Sequence, residues 1–479
     1  MGLIDARAAC LAVSSVFVSA ITVYAQQGDP FSQYEGVYAY HGGSTLALIS
    51  TDTTLVAVID EAKYPLRTLG SDRFLNGVGD TIPFRRGPDG TVSGFLEHGI
   101  FFARHTSLLD PAIRAIVHAV PRGSATYRYR VPDDTGDGLR TGDLADAGFH
   151  AADITGLVRR VVDGTYKDVH AILIYRKGKL VVEEYFYGYN RDRPHQMRSA
   201  SKSVVSALAG IAIDRKLLPG DTDLVTKHLG YTGFANPDPR KNQLTFRDLL
   251  TMRSGVACND WDQSSPGNES KMYQSADWVK FILDLPLTDP PGTRGSYCSG
   301  NVAVVGRAIE RASGKSLPVF AQENLFAPLG IRESDFKWNY RLHASNASTV
   351  AQLYMRPRDM LKLGVLFHQK GQWNGRQVIS REWIDRSTAK WSTVGDQDYG
   401  YFWWHQWVQA VLPVGPQRVD MVVATGNGGQ KIYLVPTLDL VVVMTGGSYN
   451  ANSPATTIMA KEILPAAWAA ERPSGKPNE

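Results

Sequence analysis

The segment HQMRSASKSVVSALAGIAIDRKLL, residues 195–218, decides the fold of this 479-residue chain. After Ser199 and Lys202, apolar residues recur at helical spacing on most sides, which predicts a helix buried in a core. A serine at the start of such a helix lies near unpaired N–H groups and the positive end of the helix dipole. The segment is therefore either a reactive centre or only the polar start of a buried helix.

Lys202 follows Ser199 by one helical turn on the same face, within reach of the serine oxygen. We expect partial desolvation to lower the pKa of this lysine toward that of a useful base. Such a pair can activate a hydroxyl, which is otherwise a poor nucleophile. The alternative is an N-capping serine followed by a solvated lysine, the commoner meaning of the motif.

Ser-x-x-Lys is a weak motif by itself, and this sequence contains it three times: Ser199/Lys202, Ser334/Lys337 and Ser387/Lys390. The second copy is followed by WNYRLH, which does not predict a buried helix, and the third has no tyrosine motif at a suitable distance after it. The first copy is followed both by the pattern of a buried helix and by a tyrosine motif at a suitable distance. GSYCSGNVAVVGRAIERASGK carries Tyr297 and Ser299 just ahead of another apolar helical pattern. Ser299 either donates to a substrate carbonyl or caps that helix.

The first residues resemble an export signal. An apolar stretch, residues 8–23, precedes small residues at the two positions that a signal peptidase reads, which predicts cleavage after Ala25. The alternative is an N-terminal anchor helix, although the apolar run is short for a membrane span. We therefore expect residues 1–25 to be a signal peptide and the mature protein to be periplasmic or secreted, with no membrane span after cleavage.

The rest of the chain divides into four parts. Short alternating runs separated by turn residues predict a small all-β domain, with a barrel as one form of it, over 30–105. A polar, glycine-rich linker covers 106–145, an α/β domain covers 146–468, and a disordered tail covers 469–479. In the α/β domain, hairpins near both ends flank a mainly helical middle, which predicts a sheet with one helix-rich lobe.

Composition and motifs exclude several classes of function. The net charge is +4 with the charged residues mixed along the chain, so no nucleic-acid partner is expected. The metal-binding and phosphate-binding motifs are absent, so no metal and no cofactor are expected. Cys258 and Cys298 remain after signal cleavage; in an oxidising compartment they are a plausible disulfide, and otherwise they are two buried thiols.

The α/β domain resembles the serine β-lactamase and penicillin-binding-protein superfamily. The similarity is closest to the class C-like branch of esterases, D-aminopeptidases and 6-aminohexanoate oligomer hydrolases, and it runs from about residue 137 to about residue 467. Four further segments carry it in order: LTFRDLLTMRSGV, ENLFAPLGI, MRPRDMLKLGVLF and YGYFWW. The resemblance implies a β-lactamase/transpeptidase-like fold, in which an antiparallel sheet is flanked by helices and a helical lobe.

The same resemblance implies roles for individual residues. Ser199 would be the nucleophile, Lys202 its proton partner and Tyr297 a second acid/base. Ser299 stands where the branch often has asparagine, and GNGGQ replaces the Lys-Thr-Gly of β-lactamases, which argues against efficient penicillin hydrolysis. For the oxyanion we favour the backbone N–H of Asn427, with that of Gly428 as the rival.

These patterns predict an exported serine hydrolase that cleaves an ester or amide through an acyl-enzyme. The substrate would be a small ester, an amide or a D-peptide. The alternative is a non-catalytic sensor or scaffold of the penicillin-binding type, whose N-terminal β domain binds a ligand or an envelope partner.

Overall fold

The N-terminal part of the chain forms a closed β-barrel. The computed structural model describes residues 29–40, 45–59, 61–77, 79–121, 127–231, 233–338, 353–412 and 415–469. The strands pair antiparallel in chain order, and β8 returns to β1. They are β1 (Gly36–Ala39), β2 (Thr45–Ser50), β3 (Leu55–Ile59), β4 (Ala62–Gly70), β5 (Arg73–Leu75), β6 (Thr81–Arg86), β7 (Val92–Glu97) and β8 (Ile100–Thr106).

Side chains alternate between the inside and the outside of this barrel, as the strand period of two requires. Leu46 and Leu48 of β2 point inward with Phe84 and Phe95, where they form the barrel core. The intervening residues of β2 and β3 point outward and are covered by a short helix, α1 (Pro111–Val117). This helix lies in the stretch that the sequence indicates only as a linker.

The second part is built on one antiparallel sheet of eight strands, in the order β10-β9-β21-β20-β19-β18-β17-β16. The centre of the sheet is built from both ends of the domain's sequence, because β9 near its start pairs with β21 near its end. These strands are β9 (Val169–Arg176), β10 (Lys179–Tyr185), β16 (Ser392–Val394), β17 (Gln397–Tyr399), β18 (Trp404–Leu412), β19 (Gly415–Gly426), β20 (Gln430–Val435) and β21 (Leu440–Gly446). Five short strands lie outside this sheet: β11 (His195–Gln196), β12 (Phe336–Trp338), β13 (Leu353–Met355), β14 (Gln372–Trp373) and β15 (Arg376–Gln377).

Helices cover both faces of the sheet. Twelve further helices are described: α2 (Ala151–Val162), α3 (Ser201–Asp214), α4 (Thr226–Leu229), α5 (Phe246–Leu250), α6 (Glu269–Met272), α7 (Trp278–Asp284), α8 (Ser299–Ser313), α9 (Leu317–Ala321), α10 (Pro357–His368), α11 (Arg381–Ser387), α12 (Ala455–Ile458) and α13 (Leu464–Ala469). Gly364 of α10 approaches Ile432 on one face, whereas the hydroxyl of Tyr433 lies 3.4 Å from Thr456 Oγ1 of α12 on the other.

The predicted fold is confirmed: helices flank an antiparallel sheet, a helical lobe lies between its strands, and an all-β region precedes it. The hairpins β9–β10 and β20–β21 and the buried helix α3 form where the sequence places them. The signal-peptide prediction and most of the predicted tail fall outside the described residues, and α13 extends to Ala469. In the part of the chain that is described, no helix combines the length and apolarity needed to cross a bilayer.

Candidate active site

Ser199 lies in a tight turn at the entrance to α3. The 3-10 turn Arg198–Ala200 runs directly into α3, so the first N–H groups of the turn have no intrahelical acceptor. Arg198 adopts a left-handed φ of 51° immediately before the serine, a costly conformation for a residue with a side chain. Lys202 Nζ donates a hydrogen bond of 2.9 Å to Ser199 Oγ. The two residues that the sequence pairs are therefore in direct contact.

Tyr297 reaches the same place from a loop nearly a hundred residues further along the chain. The Lys202 ammonium lies 5.2 Å from the centroid of the Tyr297 ring. The ring stacks on two indoles, that of Trp261 at 5.3 Å and that of Trp404 at 5.6 Å, and these indoles also contact each other at 6.1 Å. This stack fixes the plane of the phenol beside the Ser199–Lys202 pair.

The electrostatics of Lys202 reverse the sequence-based expectation. Burial alone would lower the pKa of its amine, and the side chain is buried. The Tyr297 phenol, with the carboxyls of Glu269 and Asp260, outweighs burial and raises the pKa of Lys202 above its ordinary value. The predicted lowering of the Lys202 pKa is therefore wrong. The sequence could not show this, because the acidic groups that oppose the effect of burial are distant from Lys202 along the chain. At neutral pH, Lys202 is an ammonium that donates to Ser199.

Asp260 and Glu269 form a carboxyl pair behind the site. Asp260 Oδ2 accepts the backbone N–H of Ser299 at 2.6 Å, and Oδ1 accepts the backbone N–H of Glu269 at 3.0 Å. Glu269 Oε2 accepts the hydroxyls of Ser299 and Tyr273, each at 3.0 Å. Burial, followed by the repulsion of Glu269, raises the pKa of Asp260 to about 7. The pair thus changes charge near neutral pH.

Ser299 has a different environment from the two that the sequence suggests. Its hydroxyl donates to Glu269, and its side chain is buried. The first N–H of α8 is accepted by Asp260 and not by a serine side chain. In this structure Ser299 therefore links the carboxyl pair to the helix that follows Tyr297.

The glycine-rich turn between β19 and β20 packs on the Ser199 turn. A Cβ at Gly426 would lie 2.2 Å from the carbonyl oxygen of Met197, so only glycine permits this approach. Gln430 braces the turn, because its amide donates to the carbonyl of Gly446 at 2.7 Å and to that of Asn427 at 3.2 Å. Gly428 has a φ of 94° in the middle of the turn. The backbone of both oxyanion candidates, Asn427 and Gly428, is thus held next to the Ser199 turn.

A disulfide braces the loop that carries Tyr297. Cys258 and Cys298 are bonded, with a Cα–Cα distance of 5.5 Å and a sequence separation of 40 residues. Closing a loop of this length removes chain entropy from the unfolded state, with an effect of about 4 kcal/mol. The bond ties Tyr297 to the segment that contains Asp260.

The other predicted features lie elsewhere. Ser334 is exposed in a 3-10 turn, and Ser387 is buried with its hydroxyl donating to the carbonyl of Ile384, so neither contacts its lysine as Ser199 does. His195 is buried with its Nε2 2.9 Å from Nδ1 of His170. In the described residues no group of three or more histidine, cysteine, aspartate or glutamate side chains is placed to hold a metal.

Sequence reasoning missed three contributors to the site. Asp260 and Trp261 lie in the stretch ACNDWDQ, where a tryptophan between two acids is the only signal in the sequence. Trp261 is 59% exposed although it stacks on Tyr297 and Trp404, so much of its indole remains accessible. Glu269 gave no local signal at all, because its importance depends on the contact with Ser299.

The site combines a serine–lysine pair at the start of a buried helix with a tyrosine and with the turn that joins β19 and β20. These features define the class of serine hydrolases with a β-lactamase-like fold. The model of the beta-lactamase family matches residues 158–458, well over half of the chain, and the protein belongs to this family.

Relatives and solved structures agree with this assignment. A lovastatin esterase from Penicillium rubens is 31% identical over 160 residues, which are 29% of this chain and 39% of the esterase. A 6-aminohexanoate-dimer hydrolase from Paenarthrobacter ureafaciens is 24% identical over 291 residues, which are 57% of this chain and 71% of the hydrolase. The crystal structure of a family VIII carboxylesterase superimposes with a TM-score of 0.53 at 16% identity, covering 70% of this chain and 99% of that one.

The match is partial for some relatives. The chain spans only about two fifths of the length of the lovastatin esterase and of a monacolin J acid methylbutanoyltransferase from Aspergillus terreus, at 39% and 40%. These names include both hydrolysis and acyl transfer, so the comparisons establish the family and not one substrate.

Proposed function

We propose that the protein hydrolyses an ester or amide bond through an acyl-enzyme on Ser199. The observation that carries this proposal is the 2.9 Å hydrogen bond between Lys202 Nζ and Ser199 Oγ, at a helix entrance that Tyr297 also reaches. No other Ser-x-x-Lys copy in the described residues has this contact. The names of two relatives, a lovastatin esterase and a 6-aminohexanoate-dimer hydrolase, support hydrolysis.

In the proposed reaction, Ser199 Oγ attacks the substrate carbonyl carbon and its proton passes to the Lys202–Tyr297 pair. The carbonyl oxygen becomes an oxyanion, which accepts from the Ser199 N–H and from the turn backbone at Asn427 or Gly428. Each such donor is worth about 3 kcal/mol of barrier. The proton then goes to the leaving alcohol or amine as the carbonyl–heteroatom bond breaks. A water molecule attacks the acyl-enzyme, and Ser199 regains its proton.

Turnover and trapping test this proposal. We expect purified protein to release more than one equivalent of p-nitrophenol from p-nitrophenyl acetate. A rapidly quenched sample should carry one acetyl group on the peptide that contains Ser199, as measured by mass spectrometry. A protein that is acylated once and never releases acetate would instead be a sensor of the penicillin-binding type.

The carboxyls of Asp260 and Glu269 allow a prediction of how the hydrolytic activity depends on pH. The Lys202 amine must be neutral to take a proton, so activity should rise as pH increases toward its raised pKa. Asp260→Asn removes a negative charge that helps to raise the pKa of Lys202. We therefore expect the rising limb of the kcat/KM profile to move to lower pH.

The matched control is Asp262→Asn, since Asp262 is exposed and lies two residues away. Its profile should coincide with that of the wild type. Superimposable profiles for Asp260→Asn and the wild type, with both proteins folded by circular dichroism, would show that Asp260 does not act on Lys202.

A further inference from the structure

The interior of the barrel contains a cavity that continues to the candidate active site. Its volume is about 380 Å³, within the range of small-molecule pockets. Inward-facing side chains of five strands line it, among them Leu48, Ala57, Leu66 and Phe84. An eight-stranded barrel is wide enough to hold one small ligand. The cavity is therefore a binding space of the right size in a domain whose role the catalytic chemistry does not explain.

One end of this cavity is closed. Tyr34 lies across the barrel, with its ring 5.0 Å from that of Phe74 and 4.8 Å from that of Phe84. The Tyr38 hydroxyl donates to the carbonyl of Tyr34 at 2.6 Å, which holds this floor in place. A ligand can therefore enter only from the opposite end.

The open end lies beside the turn that carries Ser199. Arg198, the residue before Ser199, lines the cavity, as do Glu269 and Asn427. Arg198 Nη2 donates to the Tyr64 hydroxyl of β4 at 2.5 Å, so the barrel rim touches the nucleophile turn. A second contact, between Arg193 and Glu61 at 3.0 Å, joins the same rim to the α/β domain.

The chemistry of the cavity favours an uncharged apolar chain. The depth of the barrel is lined by leucine, alanine, isoleucine and phenylalanine side chains. Polar groups at the rim are paired with one another, as in the Tyr40–Glu97 hydrogen bond of 2.7 Å. Burying an apolar chain there gains free energy, whereas a buried charge would meet no partner in the depth of the barrel.

We propose that the barrel interior binds an apolar chain of the substrate and so places the scissile bond at Ser199. This inference rests on the proposed ester or amide hydrolysis and names the substrate class: esters or amides with a medium-length acyl or alkyl chain. The barrel then determines specificity, and the β-lactamase-like domain carries out the reaction.

Two ester series test this inference. The first varies the acyl chain, with p-nitrophenyl acetate, butyrate and octanoate, and the second varies the alcohol, with butyl and octyl acetate. In the wild type, kcat/KM should rise with chain length by at least about tenfold in one series. That series identifies which side of the bond occupies the barrel.

Ala57→Phe fills the cavity, and we expect it to reduce the long-chain to short-chain ratio of kcat/KM at least about tenfold. Ala57→Leu should reduce the ratio less, which keeps the test valid if the larger side chain impairs folding. The control is Thr81→Phe, because Thr81 is exposed on the outside of the barrel. Equal ratios in the wild type and Ala57→Phe, or the same fall in Thr81→Phe, would overturn the inference.

A binding measurement separates this inference from the proposed function. The Ser199→Ala protein cannot form an acyl-enzyme, so calorimetric titration with octyl acetate or p-nitrophenyl octanoate reports only binding. We expect one saturable site for the ester of the preferred series, and none in the Ser199→Ala/Ala57→Phe double variant. Binding without wild-type turnover would reject the proposed hydrolysis and support the barrel site. Turnover with no chain-length preference and no binding would support hydrolysis and reject the barrel site.

Discussion

Ser199→Ala is expected to reduce the turnover of p-nitrophenyl acetate by a factor on the order of 10⁴ to 10⁶. The variant removes only the oxygen that would form the covalent bond, so the acyl-enzyme cannot form. The remaining rate would come from binding and from the oxyanion donors. The measurement is kcat at saturating ester, combined with a thermal melt that should match the wild type.

The sequence supplies its own control for this experiment. Ser334→Ala removes an exposed serine that begins another Ser-x-x-Lys copy, and its kcat should stay within about twofold of the wild type. If the Ser199→Ala protein kept most of its activity, the nucleophile would have to be another group. Retention of activity together with loss in Ser334→Ala would overturn the whole assignment.

Tyr297→Phe is expected to lower kcat by about 10² to 10⁴, the range typical of a lost general acid or base. Phenylalanine keeps the ring contacts with Trp261 and Trp404, so the change isolates the hydroxyl. If Tyr297 protonates the leaving group, the loss should be larger for a poor leaving group such as an alkyl alcohol than for p-nitrophenol. The measurement is the ratio of the two losses under identical conditions.

Tyr399→Phe is the matched control. Tyr399 is also buried, and its ring lies 4.6 Å from that of Trp404. Its variant should keep kcat within about threefold, because among the described residues its hydroxyl makes no hydrogen bond to Ser199 or Lys202, which are paired with each other. Equal losses in the two variants would mean that the aromatic cluster supports the fold and that the Tyr297 phenol takes no part in proton transfer.

Much of the fold could be predicted because its signals are local. The hairpins β9–β10 and β20–β21 are apolar runs around short polar turns, and α3 shows its helical period within fourteen residues. Strand β4 carries only a weak strand signal, because most of its residues are exposed and it shows no clean alternation. Helix α1 was missed because it lies on the barrel surface and contains no buried residue.

The sequence by itself determined the contact between Ser199 and Lys202, since they are three residues apart and one helical turn brings them together. It also determined the family, because several motifs recur in a fixed order. Only the tertiary structure decided the direction in which the pKa of Lys202 shifts, because burial there is outweighed by the Tyr297 phenol and by carboxyls at positions 269 and 260 that no local pattern connects to it. It alone decided that the barrel opens toward Ser199, because that contact joins Tyr64 to Arg198 across 134 residues of chain.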